Sequence, residues 1–108
     1  MKFKYKIDLE WDPDDHIYVA TVPELPGCMS HGKTEHEALR QVEKAMTGWI
    51  KTAKKTKMTI PEPIATRDFS GSFNVRIARD THRRLVLKAT EERVSLNHLI
   101  AQILMKAV

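Results

Sequence analysis

From Met1 to Trp11 apolar and polar residues alternate one for one. Phe3, Tyr5, Ile7, Leu9 and Trp11 fall on one face, and Lys2, Lys4, Lys6, Asp8 and Glu10 on the other. A period of two marks a half-buried strand, with the aromatic face toward the core. Asp12-Pro13-Asp14-Asp15 supplies turn chemistry. Ile17 to Val22, rich in β-branched and aromatic residues, predicts the returning strand of a hairpin. Pro23 to Gly27 breaks that strand, and Cys28 to His31 predicts a short third one closed by Gly32. The period then changes. Thr34 and Glu37 have the spacing of a capping box. Ala38, Leu39, Val42, Ala45, Met46, Trp49, Ile50 and Ala53 follow a 3.6-residue repeat, predicting an amphipathic helix over 35–54 that covers the sheet. The lysines of Lys51 to Lys57 end it. Ile60-Pro61-Glu62-Pro63-Ile64 cannot be helical and predicts an extended segment along the sheet edge or into a next unit.

Residues 65–71 are polar, contain Gly71 and break both periods, which makes them a linker. It separates a β-β-β-α unit of residues 1–64 from a β-α-α unit of residues 72–108. In the second unit Ser72, Asn74 and Arg76 alternate with Phe73, Val75 and Ile77. Asp80 is the expected N-cap of a helix running to about Arg93, with His82, Leu85, Val86 and Ala89 on one side. Ser95 caps the next, whose Leu96, Leu99, Ile100, Ile103 and Leu104 repeat at helical spacing. A short strand ahead of two helices has no partner in its own segment, and a unit of roughly 40 residues cannot bury a stable core alone. A second copy of the strand, paired antiparallel, would meet both needs. It would also set Ser72, Asn74 and Arg76 of both chains on one outer face, the geometry of a two-stranded ribbon that enters a DNA major groove. The helix start at Ser95 offers free amides and a positive dipole end to a phosphate.

Charge agrees with this division. The chain of 108 residues carries a net charge of +4, but residues 1–66 hold as many acids as bases, so the excess lies wholly in residues 67–108. Six of the basic residues there are Arg, which bonds bidentately to phosphate or guanine. A merely solvated basic face stays open on charge alone. With 42% hydrophobic and 30% charged residues the composition is that of a globular protein. No apolar run approaches the ~18 residues that span a bilayer, and the N-terminus lacks a signal-peptide core. One cysteine, Cys28, fits a reducing compartment, so the cytoplasm is the expected location.

Candidate chemistry is thin. Asp8, Asp12, Asp14 and Asp15 could suggest metal-binding carboxylates, yet three of them lie in a turn, where Asp serves local backbone bonding. Cys28, His31 and His36 match no standard metal spacing, and His82 and His98 form no paired-ligand motif. Tyr5 and Trp11 share the apolar face of the first strand and are assigned to the core, and His82 to helix packing. Tyr18, between Ile17 and Val19, is free to be a contact residue. Neither a metal, nor a cofactor, nor a catalytic residue is expected.

Phe73-Asn74-Val75-Arg76-Ile77, with Val94-Ser95-Leu96-Asn97 at the start of the second helix, resembles the ribbon-helix-helix repressors. By that resemblance Ser72, Asn74 and Arg76 read bases, while Ser95, Leu96 and Asn97 clamp phosphates; the nearby Arg79 is expected to handle phosphate as well. The run from Tyr18 to Cys28, with Gly32, Thr34, Glu37-Ala38-Leu39, Trp49-Ile50 and Ile60-Pro61-Glu62-Pro63, resembles the HicB antitoxins. Together they imply an α+β chain, with an antiparallel sheet and one long helix in a partly RNase H-like fold followed by a ribbon-helix-helix domain. The first unit would bind and block HicA, a small mRNA-cleaving toxin, and the second would repress the operon encoding both. A toxin that grips RNA is basic, so acidic or aromatic contacts suit it, and Asp14, Asp15, His16 and Tyr18 provide them. The expected partners are that toxin, operator double-stranded DNA and a second copy joined through the C-terminal strand, with a tetramer open to it. Two other readings stay open: a ribbon-helix-helix regulator with a ligand- or metal-sensing N-terminal unit, and an RNase H-like RNA-processing protein.

Overall fold

The computed structural model describes residues 3–108. Met1 and Lys2, where the first strand was expected to begin, lie outside the described residues. Two compact units divide the chain, one ending at Ser70 and one beginning at Gly71. The first thus runs past residue 64, where the sequence placed its end.

The first unit is a three-stranded antiparallel sheet in the order β1-β2-β3 (Asp8–Asp12, Ile17–Thr21, Met29–Gly32), followed by the long helix α1, Glu35–Lys55. Asp8 pairs with Thr21 and Asp12 with Ile17, while Thr21 pairs with Met29 and Tyr18 with Gly32. Strand alternation turns Leu9, Tyr18 and Ala20 toward α1, and Asp8, Glu10, Asp12, Val19 and His31 toward the open face. The core joins Tyr5, Ala20, Val22, Leu25 and Cys28 to Ala38, Val42 and Met46 of the helix. Thr34 caps α1 as expected, its hydroxyl accepting the Glu37 amide at 3.1 Å. Glu37 reaches one residue further back than the usual capping box, accepting the Lys33 amide at 3.3 Å.

The first strand is shorter than its alternation predicts. Residues 3–7 keep the strand alternation, with Lys4 and Lys6 exposed and Phe3, Tyr5 and Ile7 buried or partly buried, but they form no ladder, because the chain beyond Thr21 turns inward and leaves nothing for them to pair with. The Val22 amide bonds to the Cys28 carbonyl at 3.0 Å, and Gly27, at φ +80°, closes a loop that buries Leu25 completely. Glu24 takes the place of the missing strand. Its carboxylate accepts the amides of Lys6 at 2.8 Å and Ile64 at 2.7 Å. The Tyr5 hydroxyl donates to the Pro61 carbonyl, and one 3-10 turn follows at Ile64–Thr66. Residues 60–66 are therefore fastened to the first unit.

The second unit contains α2, Arg79–Glu92, and α3, Leu96–Ala107, packed together through Ala89 and Leu99, its buried residues. Arg93 ends α2 in the left-handed region at φ 57°, and the Val94 amide bonds back to the Ala89 carbonyl at 3.0 Å. Two expectations fail here. Asp80 is not the N-cap, since α2 starts earlier, after Ala78, and places Asp80 in its first turn. His82 is exposed rather than packed, because the turn of helix that carries it meets no neighbour within the unit.

Candidate interaction surfaces

The first surface gathers at the hairpin turn of the first unit. Asp12 ends β1, and its carboxylate accepts the amides of Asp14 at 2.9 Å and Asp15 at 3.3 Å. That satisfies the turn and leaves the carboxylates of Asp14 and Asp15 exposed. His16 completes the reversal at φ 51°. Tyr18 is half-buried on the helix side of the sheet, against the core, where the sequence left it free to be exposed. Pairing explains this: Tyr18 opposes Gly32, which lies against the first turn of α1.

Trp11 departs furthest from expectation. It points to the core side, as the alternation requires, yet 48% of its surface is exposed. The reason is coverage: α1 lies mainly over β3 and only marginally over the edge strand β1. Its ring packs edge-on against Tyr18 at 4.9 Å and stands 6.1 Å from His16. Periodicity gives the face of a residue, not how far the covering helix reaches across it. The usable signal was position, since Trp11 is the last apolar residue before the turn.

Other titratable groups have structural duties. The two backbone amides, Lys6 and Ile64, hold the Glu24 carboxyl below its ordinary range. Burial raises the Tyr5 phenol, with Glu24 adding to the effect, and burial raises the Cys28 thiol. Cys28 is buried whereas His31 and His36 are exposed. Among the described residues no three His, Cys, Asp or Glu side chains converge on a cation position. Trp49, whose indole donates to the Pro26 carbonyl at 2.9 Å, lines an open groove of about 280 Å³ with Cys28, Gly48 and Met58.

The second surface is the segment 72–77 with the start of α3. Among the described residues, 73–77 belong to no helix or strand. Phe73, Val75 and Ile77 are 71%, 64% and 47% exposed, and the alternate positions Ser72, Asn74 and Arg76 are exposed as well. Arg79, also exposed, is the first residue of α2, and Arg83 is held by Asp80 at 2.8 Å. The Ser95 hydroxyl accepts the His98 amide at 3.0 Å, so it caps its own helix. The amides of Leu96 and Asn97, in the first turn of α3, have no intrahelical acceptor. Further apolar surface is open on the helices at Val86, Leu87, Ile103, Leu104 and Met105. Among the described residues no helix is long and apolar enough to cross a membrane.

Residues 5–75 match the profile of the HicB-like antitoxin of bacterial toxin-antitoxin systems, and residues 57–104 match that of the HicB family. A UPF0150 protein of Thermoplasma acidophilum is 41% identical over 58 residues, spanning 54% of this chain and 83% of that protein. Among solved structures, the antitoxin HicB of Burkholderia pseudomallei aligns with 98% of this chain and 96% of its own. Its identity is 18% and its TM-score 0.42, too loose a superposition to bear on either unit.

Proposed function

The chain belongs to the family of HicB-like antitoxins of bacterial toxin-antitoxin systems, and on that footing we propose a division of labour between its two units. The first binds and neutralises a small HicA-type mRNA-cleaving toxin. The second pairs with a second copy through residues 72–77 and represses the operon by binding operator DNA. The protein catalyses nothing itself and works in the cytoplasm, where its toxin would meet mRNA. The β-β-β-α order of the first unit is in keeping with the partly RNase H-like fold that the resemblance implies.

One observation carries the reading. Phe73, Val75 and Ile77 are exposed apolar residues at alternate positions of a segment that belongs to no helix or strand among the described residues. Exposed apolar edge strands are avoided unless something pairs with them. A second copy would cover that row and leave Asn74 and Arg76, with Ser72, on the outer face for base edges, while the amides of Leu96 and Asn97 and the Arg79 guanidinium meet phosphates. Asp14 and Asp15, with His16 and Tyr18 beside them, offer the acidic and aromatic contact suited to a basic, RNA-gripping toxin.

The test uses the operator region and the co-encoded toxin. Replacing both Asn74 and Arg76 by Ala should cost about 1–3 kcal/mol per lost base contact and abolish discrimination between operator and random duplex. Undiminished discrimination would refute the ribbon. Reversing the charge of Asp14 and Asp15 should weaken toxin capture without touching DNA binding, and unchanged capture would move the contact elsewhere.

A further inference from the structure

We propose that β1 and the extended residues before it form a second self-association edge, along which two copies pair antiparallel about a two-fold axis through Ile7. This goes beyond the C-terminal ribbon and does not depend on it.

Three observations lead there. The first is an open edge. β1 is the outermost strand, and among the described residues Phe3, Tyr5 and Ile7 have no backbone hydrogen-bond partner. The Lys6 amide faces inward, to Glu24. Successive residues of an extended chain turn their amides to opposite sides, so those of Tyr5 and Ile7 face outward, as a pairing strand requires.

The second is charge. Edge strands are commonly protected by scattered lysines. Here the outward column is sorted by sign: Lys4 and Lys6 come first, then Asp8, Glu10 and Asp12. Antiparallel pairing about Ile7 sets Lys6 against the partner's Asp8 and Lys4 against the partner's Glu10, with both pairs repeated by symmetry. Lys6 already contacts Asp8 of its own chain at 3.3 Å, so the axis would carry a cluster of four alternating charges. Shifting the register by two residues either way places Lys6 against Lys6 or Asp8 against Asp8. Charge complementarity thus selects both the partner, a second copy, and the register.

The third is Trp11. In the same register the inner face pairs Ile7 with Ile7, Tyr5 with the partner's Leu9, and Phe3 with the partner's Trp11. Trp11 is the half-exposed aromatic that α1 leaves uncovered, and Phe3 is only partly buried. Each would cover the other, at the separation where aromatic cross-strand pairs are favourable. Asp14, Asp15 and His16 stay clear of the axis, at the outer ends of the joined sheet.

The experiment is a charge swap in the full chain, read by sedimentation at low salt. Lys4 and Glu10 are six residues apart in an extended segment, too far to touch within one chain. Lys4→Glu alone puts two like pairs into the interface, as does Glu10→Lys alone, and each should weaken the association step at least about tenfold. The double variant Lys4→Glu/Glu10→Lys should restore it. Rescue of that kind can come only from pairing between chains in this register. Unchanged assembly in both single variants, or a double variant no better than either, would overturn the proposal. Far-ultraviolet circular dichroism on the same samples separates lost association from lost folding.

Discussion

Gly32 and Gly48 make opposite predictions from one substitution. Gly32 is buried in β3, opposite Tyr18, and a Cβ there would stand 2.5 Å from the Ala38 amide nitrogen, 2.8 Å from the Glu37 carbonyl carbon and 2.9 Å from the Glu37 Cβ. None of these is the free end of a flexible side chain. They belong to the first turn of α1, which the Thr34 cap fixes. Gly32→Ala must therefore push the helix off the sheet. Overpacking in cores costs about 1–3 kcal/mol, and backbone contacts this short argue for the upper end. In a small unit with a urea slope of about 1 kcal/mol/M the midpoint falls by about 2–3 M. Gly48 lies within α1, and a Cβ there meets nothing within 4 Å. Gly48→Ala should raise stability by roughly 0.5–1 kcal/mol through backbone entropy alone. Both tryptophans of the chain, Trp11 and Trp49, lie in the first unit, so indole fluorescence during urea unfolding follows that unit. A Gly32→Ala midpoint within about 0.3 M of the parent would refute the close approach of helix and strand.

Two further outcomes concern titratable groups. The Glu24 carboxyl is depressed chiefly by the Lys6 and Ile64 amides, so its contribution is complete above the ordinary Glu range and lost as pH falls through the lower, folded value. The protection of the Ile64 amide relative to its intrinsic exchange rate should fall across that acid window, and Glu24→Gln should lower it already at neutral pH; equal protection in the variant would mean that something else holds residues 60–66. The Cys28 thiol, raised by burial, should react with an alkylating reagent only as fast as the unit opens, and rapid labelling at neutral pH in the absence of urea would contradict its burial.

What the sequence disclosed and what it withheld follow one physical line. The helix of the first unit was readable almost to the residue, expected over 35–54 and found at Glu35–Lys55, because its cap and its period are written in neighbouring positions. The hairpin turn at Asp12 was readable for the same reason. β1 was over-extended because a ladder ends where its partner ends, and the partner turns in at Val22. Trp11 was misplaced because burial depends on how far a distant helix reaches. Asp80 has the chemistry of a cap, yet the helix begins earlier, at Arg79 after Ala78, and the Asp80 carboxylate serves Arg83 and the dipole instead. The carboxylate clamp of Glu24, spanning 40 residues to Ile64, had no local signature at all.

The second unit leads to a stricter consequence. Ala89 and Leu99 are its buried residues, while Phe73, Val75, Ile77, Val86, Leu87, Ile103, Leu104 and Met105 are exposed. Two small buried contacts cannot offset the cost of ordering two helices, roughly 1–2 kcal/mol per residue in backbone entropy alone. If the missing burial comes from a second copy, then folding and pairing of this unit are one reaction, and its stability must rise with protein concentration. Lys4→Glu acts on the other edge, so it should leave that dependence intact while removing association through β1. The two couplings are separable by thermal unfolding over a range of chain concentrations, with indole fluorescence following the first unit and amide resonances of α2 and α3 the second. A second unit whose midpoint ignores concentration, in a chain that carries Lys4→Glu, would mean that its exposed apolar rows are covered by something other than its own kind.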